Sequence, residues 1–237
     1  MIKLVDITSL SCKDNLFLIK CKSNSLCYEK YDFCNTFSQE INGKALSFIN
    51  ILSGNATVFC EDNADFDEIK QFLKMQSVKS IFCNKTTCEK LGLKPLNKGS
   101  IMKFNGERNF ENILKFTVNP SFKSDYSILK QHFSMPDYNE FVADLSFRLN
   151  HNFAHIIEDD GGVIFTLWEA DDTAVVSALA VDITKQNKGI GTRLLQSIIG
   201  QLINKEIYIY PNSEKVKRFY EKNGFIATDK YYFGEEF

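Results

Sequence analysis

The chain has 237 residues, a formal net charge of −2, and 44% hydrophobic against 24% charged residues. That composition supports a packed core, and the near-balanced charge supplies no electrostatic footprint for nucleic acid. No apolar run approaches a membrane span, and the N-terminal MIKLVDITSLSCKD lacks a signal-peptide core, so a cytoplasmic chain without a membrane partner is expected.

In chain order, the first clear elements are strands at 44–53 and 55–60 around Gly54. Asp65 then caps a helix containing Ile69, Phe72 and Leu73, and Val78 to Cys83 reads as a strand. Thr86 opens a short helix that Gly92 ends, and 101–104 is a further strand. Cys12, Cys21, Cys27, Cys34, Cys60, Cys83 and Cys88 all fall in this half without a C-x-x-C pair. They are expected to be free, partly buried thiols, with no metal site.

The second half opens with a strand at 113–118. Ser124 or Asp125 caps a helix running to Phe133, and Pro136-Asp137 starts another with Phe141, Val142, Leu145 and Leu149 at helical spacing. Strands follow at 153–157, 163–168 and 174–181, the first two joined by the hairpin sequence DDGG. After KQNKGIGTRLL comes a helix with the apolar stripe Leu194, Leu195, Ile198, Ile199, Leu202 and Ile203. A strand at 207–210, a helix capped by Ser213 or Asn212, its end at Asn223-Gly224, and a strand from Phe225 complete the order. Antiparallel strands followed by β-α-β crossovers make a mixed α/β (α+β) sheet flanked by helices, with chemistry expected where the crossover begins.

EKLGL at 89–93 and EKNGF at 221–225 each close a strand-helix-strand unit. This points to internal duplication. It divides the chain into lobes 1–108 and 109–237, with the loop Asn105 to Asn109 as the boundary.

Within KQNKGIGTRLL, Gly189 and Gly191 leave the backbone open at a helix N-terminus, where unpaired amides and partial positive charge suit a phosphate. The stretch fits neither a Walker loop nor the dinucleotide pattern, because Leu194 occupies the position that needs a small residue. Leu179-Ala180-Val181 followed by Gln186-Asn-Lys-Gly-Ile-Gly191 instead resembles the acyl-CoA signature Q/R-x-x-G-x-G/A of the GNAT N-acetyltransferase superfamily. Arg218-Phe-Tyr-Glu-Lys-Asn-Gly-Phe225 resembles that family's later F/L-Y-E-K-x-G-F helix. The resemblance covers roughly 112–237, and the earlier lobe is similar to a degenerate copy, so two tandem GNAT-like lobes are expected.

The resemblance implies acetyl-CoA as cosubstrate and transfer of its acetyl group to an amine by direct attack in a ternary complex. Leu179, Ala180 and Val181 would bond the pantetheine arm. Gln186, Asn187, Lys188, Gly189, Ile190, Gly191 and Thr192 would wrap the pyrophosphate, with Asn187 tolerating the positive φ that glycine usually supplies there. Asn212 stands one residue before the position of a frequent CoA contact, and Tyr220 matches the tyrosine that protonates the leaving thiolate. Glu169 and His155 are the candidate bases. The chain ends at Phe237, so the family's last strand is expected to be short or missing, leaving a sheet edge for the first half to cover.

The corresponding stretch of the first half, FCEDNADFDE, has no glycine and carries Glu61, Asp62, Asp65, Asp67 and Glu68, which would repel a pyrophosphate. A single acyl-CoA site is therefore expected. The acceptor is a small-molecule or peptide amine, and the chain a monomer or homodimer. The alternative to an acetyltransferase is a non-catalytic CoA-binding sensing or interaction module.

Overall fold

Left-handed turns place the hairpins. Asn42 and Gly43 (φ 52° and 77°) join β2 (Cys34–Ile41) to β3 (Lys44–Leu52), and Ser53 and Gly54 (φ 49° and 81°) join β3 to β4 (Asn55–Cys60). Positive φ at both central residues matches the right-handed twist of the flanking strands. The computed structural model describes residues 1–12, 15–108, 111 and 113–235; Asn109, at the end of the expected boundary loop, and Phe237 lie outside them.

Along the chain, β1 (Ile2–Leu4), α1 (Leu16–Cys27), β2, β3, β4, α2 (Phe66–Met75), β5 (Ser80–Cys83), α3 (Lys85–Leu91) and β6 (Pro95–Phe104) form one series. A second series follows, α4 (Phe122–Leu129), α5 (Tyr138–Asn150), β7 (Ile156–Asp159), β8 (Gly162–Ala170), β9 (Thr173–Val181), α6 (Ile190–Gln201), β10 (Glu206–Ile209), α7 (Glu214–Lys222) and β11 (Phe225–Glu235), and its last seven elements have the same order as the last seven of the first. The mixed α/β order is as expected. Among the described residues, no helix is long and apolar enough to cross a membrane.

The chain divides into two compact units that do not follow its order. The first holds Met1–Met102, Tyr210–Tyr220 and Ile226–Phe237; the second holds Lys103–Ile209 and Glu221–Phe225. In the first, the strands run β1-β2-β3-β4-β5-β11-β6. β11 is the strand expected from Phe225, and it pairs antiparallel with β5 from Tyr232↔Cys83 to Glu235↔Ser80. The core of this unit joins Ile49, Val58, Ile81, Ile69 and Leu73. Asp65 caps α2 by accepting from Glu68 N (3.0 Å), and Gly92 (φ 70°) ends α3.

In the second unit the strands run β10-β9-β8-β7. Val163, Phe165 and Ala180 pack with Leu129, Phe141 and Leu145 of α4 and α5. Gly162 faces α6, where a Cβ would meet Ile190 Cγ2 and Leu194 Cδ1 at 2.8 Å. Leu194, Leu195, Ile198, Ile199 and Leu202 are buried, but Ile203, past the helix end, is 53% exposed. Arg108 closes the C-terminus of α6 by donating to the carbonyls of Ile199, Leu202 and Lys205.

Three local expectations change. Residues 113–118 form no strand. Leu114 N donates to Ser197 Oγ (2.9 Å) and Leu114 O accepts from Gln201 (2.9 Å), so α6 takes groups that a sheet ladder would need. α4 starts after Ser121, with Asp125 turned inward rather than serving as a cap, and it stops at Leu129. β7 begins three residues later than expected, at Ile156, although Thr166 N still reaches His155 O (3.0 Å).

Candidate functional site

β9 leads through Asp182 and a 3-10 turn at Ile183–Lys185 into α6. Asn187 (φ 61°) and Gly189 (φ 81°) turn the chain left-handed before the helix, and a Cβ on Gly189 would meet nothing within 4 Å. Gly189 is the N-cap and offers no side chain, and the first bond back to it comes from Arg193 N (3.0 Å). Among the described residues, the amides of Ile190, Gly191 and Thr192 therefore point from the helix end without a protein partner. Helix dipole and amides together favour an anion there. Lys185 pairs with Asp160 and Arg193 with Asp159, which ties this rim to the β7-β8 hairpin.

β9 also opens on one side. It pairs in parallel with β10 only from Thr173↔Glu206 to Val175↔Tyr208, while its pairing with β8 continues to Val181↔Gly162. Register shifts skip Ser177 on β9 and Leu167 on β8 just where the β10 pairing ends. Asp182 N donates to Gly161 O (2.8 Å), so Gly162↔Val181 is a non-hydrogen-bonded pair. Alternation then turns the N–H and C=O of Leu179 and Val181 toward the open edge, and those of Ala180 into the β8 ladder. The Val181 carbonyl already accepts from His132 Nε2 (2.8 Å) and Gln186 Nε2 (3.3 Å).

The two candidate bases meet each other. His155 Nδ1 donates to Glu169 Oε1 (2.6 Å), Thr166 Oγ1 donates to the same oxygen (2.6 Å), and Lys205 Nζ lies 3.2 Å from Oε2. Burial pushes the Glu169 pKa up, but His155, Thr166 and Lys205 outweigh it and hold the carboxyl below its ordinary range. Glu169 pairs with Ala174, itself paired to Ile207, so it stands at the closed end of β9-β10. A buried carboxylate that accepts from His155 and pairs with Lys205 is placed to hold both side chains, and its depressed pKa opposes proton uptake.

Tyr220 and Asn212 belong to the first unit, unlike the cradle residues. Tyr220 is buried at 7% exposure, and burial raises its pKa well above that of an ordinary phenol. Asn212 is exposed, and Ser213 rather than Asn212 caps α7, accepting from Val216 N (3.4 Å). Gln131 and His132 at the end of α4 were not legible as site residues, since nothing local marks two polar residues after a short helix. The free thiols are largely buried, and burial pushes Cys21 and Cys60 up to about 12. No group of His, Cys, Asp or Glu among the described residues could hold a metal.

Residues 150–227 match the family model of the acetyltransferase (GNAT) domain. This segment is similar to a GNAT domain. It contains β7 to α7, and with them the open strand edge and the Gly189 cradle. No curated protein sequence matches the chain. Among solved structures, the chain is similar over its full length to a GNAT-family acetyltransferase from Colwellia psychrerythraea, with 11% identity, all of both chains covered and a TM-score of 0.57. A tandem GNAT protein from the clavulanic acid biosynthesis pathway shares 7% identity over 98% of this chain and 97% of its own, with a TM-score of 0.57. A GNAT-family acetyltransferase from Novosphingobium aromaticivorans shares 12% identity over 93% and 99%, with a TM-score of 0.56. At such identities the likeness is one of fold.

Proposed function

We propose that the chain is an acetyl-CoA-dependent N-acetyltransferase that acts on a small-molecule or peptide amine in a ternary complex. The observation that carries this reading is the uncapped N-terminus of α6, with Gly189 at φ 81° and open space above it, at the end of a strand that has parted from its neighbour. The amides from Gly189 to Thr192 hold the pyrophosphate, with Asn187 shaping the turn and Lys188 adding charge. Leu179, through both backbone groups, and Val181, through its N–H, bond the pantetheine arm. Acetyl-CoA supplies an activated thioester. By the resemblance of its helix to the family's, Tyr220 is the residue assigned to support departure of the thiolate. Because Glu169 is held as an ion-paired carboxylate, the amine loses its proton to water.

The first unit binds no CoA on this reading. Its counterpart helix α2 carries its own carboxylate cap, Asp65, and β4 pairs with β5 through Val58↔Cys83. The engagement of Glu169 also favours a second reading, a CoA-binding module without turnover.

Thermal unfolding with acetyl-CoA, CoA, ATP and NAD, for the wild type and Gly189→Glu, tests the site. A ligand at about 100 times its Kd adds roughly 2.7 kcal/mol, several degrees here. Stabilisation by acetyl-CoA and CoA that Gly189→Glu abolishes supports the cradle. No shift with either CoA species overturns it. CoA binding with no acetyl transfer to any amine in a broad panel selects the module over the enzyme.

A further inference from the structure

The first turn after α4 makes three bonds to consecutive residues at the end of β9. His132 Nε2 donates to the Val181 carbonyl (2.8 Å), Gln131 Nε2 donates to Asp182 Oδ2 (3.3 Å), and Gln131 Oε1 accepts from Ile183 N (3.0 Å). A carbonyl can only accept, so the His132 proton sits on Nε2. Asp182 in turn accepts from Thr184 N (2.8 Å) and Thr184 Oγ1 (2.6 Å), which sets the 3-10 turn that delivers Gln186 and Asn187 to the cradle. Gln186 returns to the same Val181 carbonyl (3.3 Å). His132 is half-buried and the loop residues around it are mostly exposed, so ordinary core burial does not account for a matched set of bonds here.

We propose that Gln131 and His132 are positioning residues for the acyl-CoA: they hold the end of β9 and the entry to α6 so that the outward amide of Val181 and the first-turn amides of α6 face one ligand. The inference rests on the proposed cofactor site. It assigns α4, which packs with α5 over the same sheet, a direct mechanical link to cofactor binding. Because the clamp grips the strand end and not the reacting atoms, its loss weakens acyl-CoA binding and leaves the amine side alone.

The test is calorimetric titration of CoA into the wild type, His132→Ala, His132→Gln and Gln131→Ala, with KM for acetyl-CoA and for the amine measured separately once an acceptor is in hand. Losing one or two hydrogen bonds that preorganise the loop corresponds to roughly a tenfold rise in Kd for each alanine variant. His132→Gln, whose amide can still donate to Val181 O, recovers most of the affinity. Hydrogen exchange in free protein reports the clamp itself, with faster exchange at 183–189 in the alanine variants. Wild-type protein that binds no CoA sinks the cofactor reading. Wild-type binding with unchanged Kd in both alanine variants sinks the clamp alone. A lowered melting temperature with unchanged Kd and unchanged exchange at 183–189 likewise overturns it, as a merely structural contact would behave in this way.

Discussion

Replacing Tyr231 by alanine tests whether the last strand of the chain belongs to the sheet of the first unit. Tyr231 is 3% exposed, and its ring stacks on Phe82 of β5 (5.4 Å, 27°) and meets Tyr210 edge-on (5.7 Å, 86°). Its hydroxyl donates to Pro211 O (3.3 Å). A buried aromatic ring covers about 150–250 Å², which at about 25 cal/mol per Å² is roughly 4–6 kcal/mol of transfer free energy. Partial collapse of the site brings the expected loss to about 3–5 kcal/mol. A Cβ on Gly99 would lie 2.6 Å from the Tyr231 ring and 2.4 Å from Pro211 O, so Gly99→Ala strains the same point from the other side, by about 1–3 kcal/mol. Both variants are read by denaturant unfolding and by peptide-resolved hydrogen exchange. Exchange should accelerate at 80–83, whose backbone pairs with 232–235. If those amides keep their wild-type protection in Tyr231→Ala, β11 is not part of that sheet and the reasoning fails.

Three further outcomes follow from charged and titratable side chains of the second unit. Arg108→Lys should lose about 2–4 kcal/mol in equilibrium unfolding, because an ammonium cannot serve the carbonyls of Ile199, Leu202 and Lys205 together. A loss under about 0.5 kcal/mol would show that water replaces the fork. Asp125 is 2% exposed, and burial, with the charge of Glu158 and a hydrogen bond to it, pushes its carboxyl up to about 8. The folded state therefore holds a proton that the unfolded chain releases near pH 4, and stability falls as pH rises from about 4 to about 8. Asp125→Asn should match the wild type near pH 4 and exceed it at pH 8 in thermal melts; a constant difference across that range would refute the assignment. Glu169 has the opposite sign: its folded pKa is depressed, so its contribution is complete above about pH 4.5 and is lost as pH falls through the folded value. Glu169→Ala should cost about 3–5 kcal/mol at pH 7, with a flatter acid limb. Glu169→Gln should keep kcat within a few-fold, whereas a drop of a hundredfold or more would make Glu169 the base after all.

Elements whose signal lies within a few residues were legible. The Ser53-Gly54 and Asp160-Gly161 turns, the Asp65 and Asp137 caps, the apolar stripe of α6 and the left-handed approach to Gly189 each depend on backbone and side-chain chemistry at their own positions. α1 was not legible. Its buried face includes Lys22, Ser23 and Asn24, and that polarity makes sense only once Asn24 donates to Asn50 Oδ1 (2.9 Å) and Asn50 donates to Thr36 Oγ1 (2.9 Å). No periodicity rule finds a helix whose inward side chains are satisfied by strands still to come.

The sequence by itself determined several of the turns and caps, which helix N-terminus is bare and which strand leads to it. Only the tertiary structure decided that β11 enters the first unit beside β5, that Glu169 spends its charge on His155 and Lys205, and that Gln131 and His132 grip the end of β9. The physical reason is range. Turn conformation and capping are settled by groups a few bonds apart, whereas a strand edge or a buried carboxylate takes whichever partner the rest of the fold brings to it, and here those partners lie 14 to 52 residues away for the site contacts.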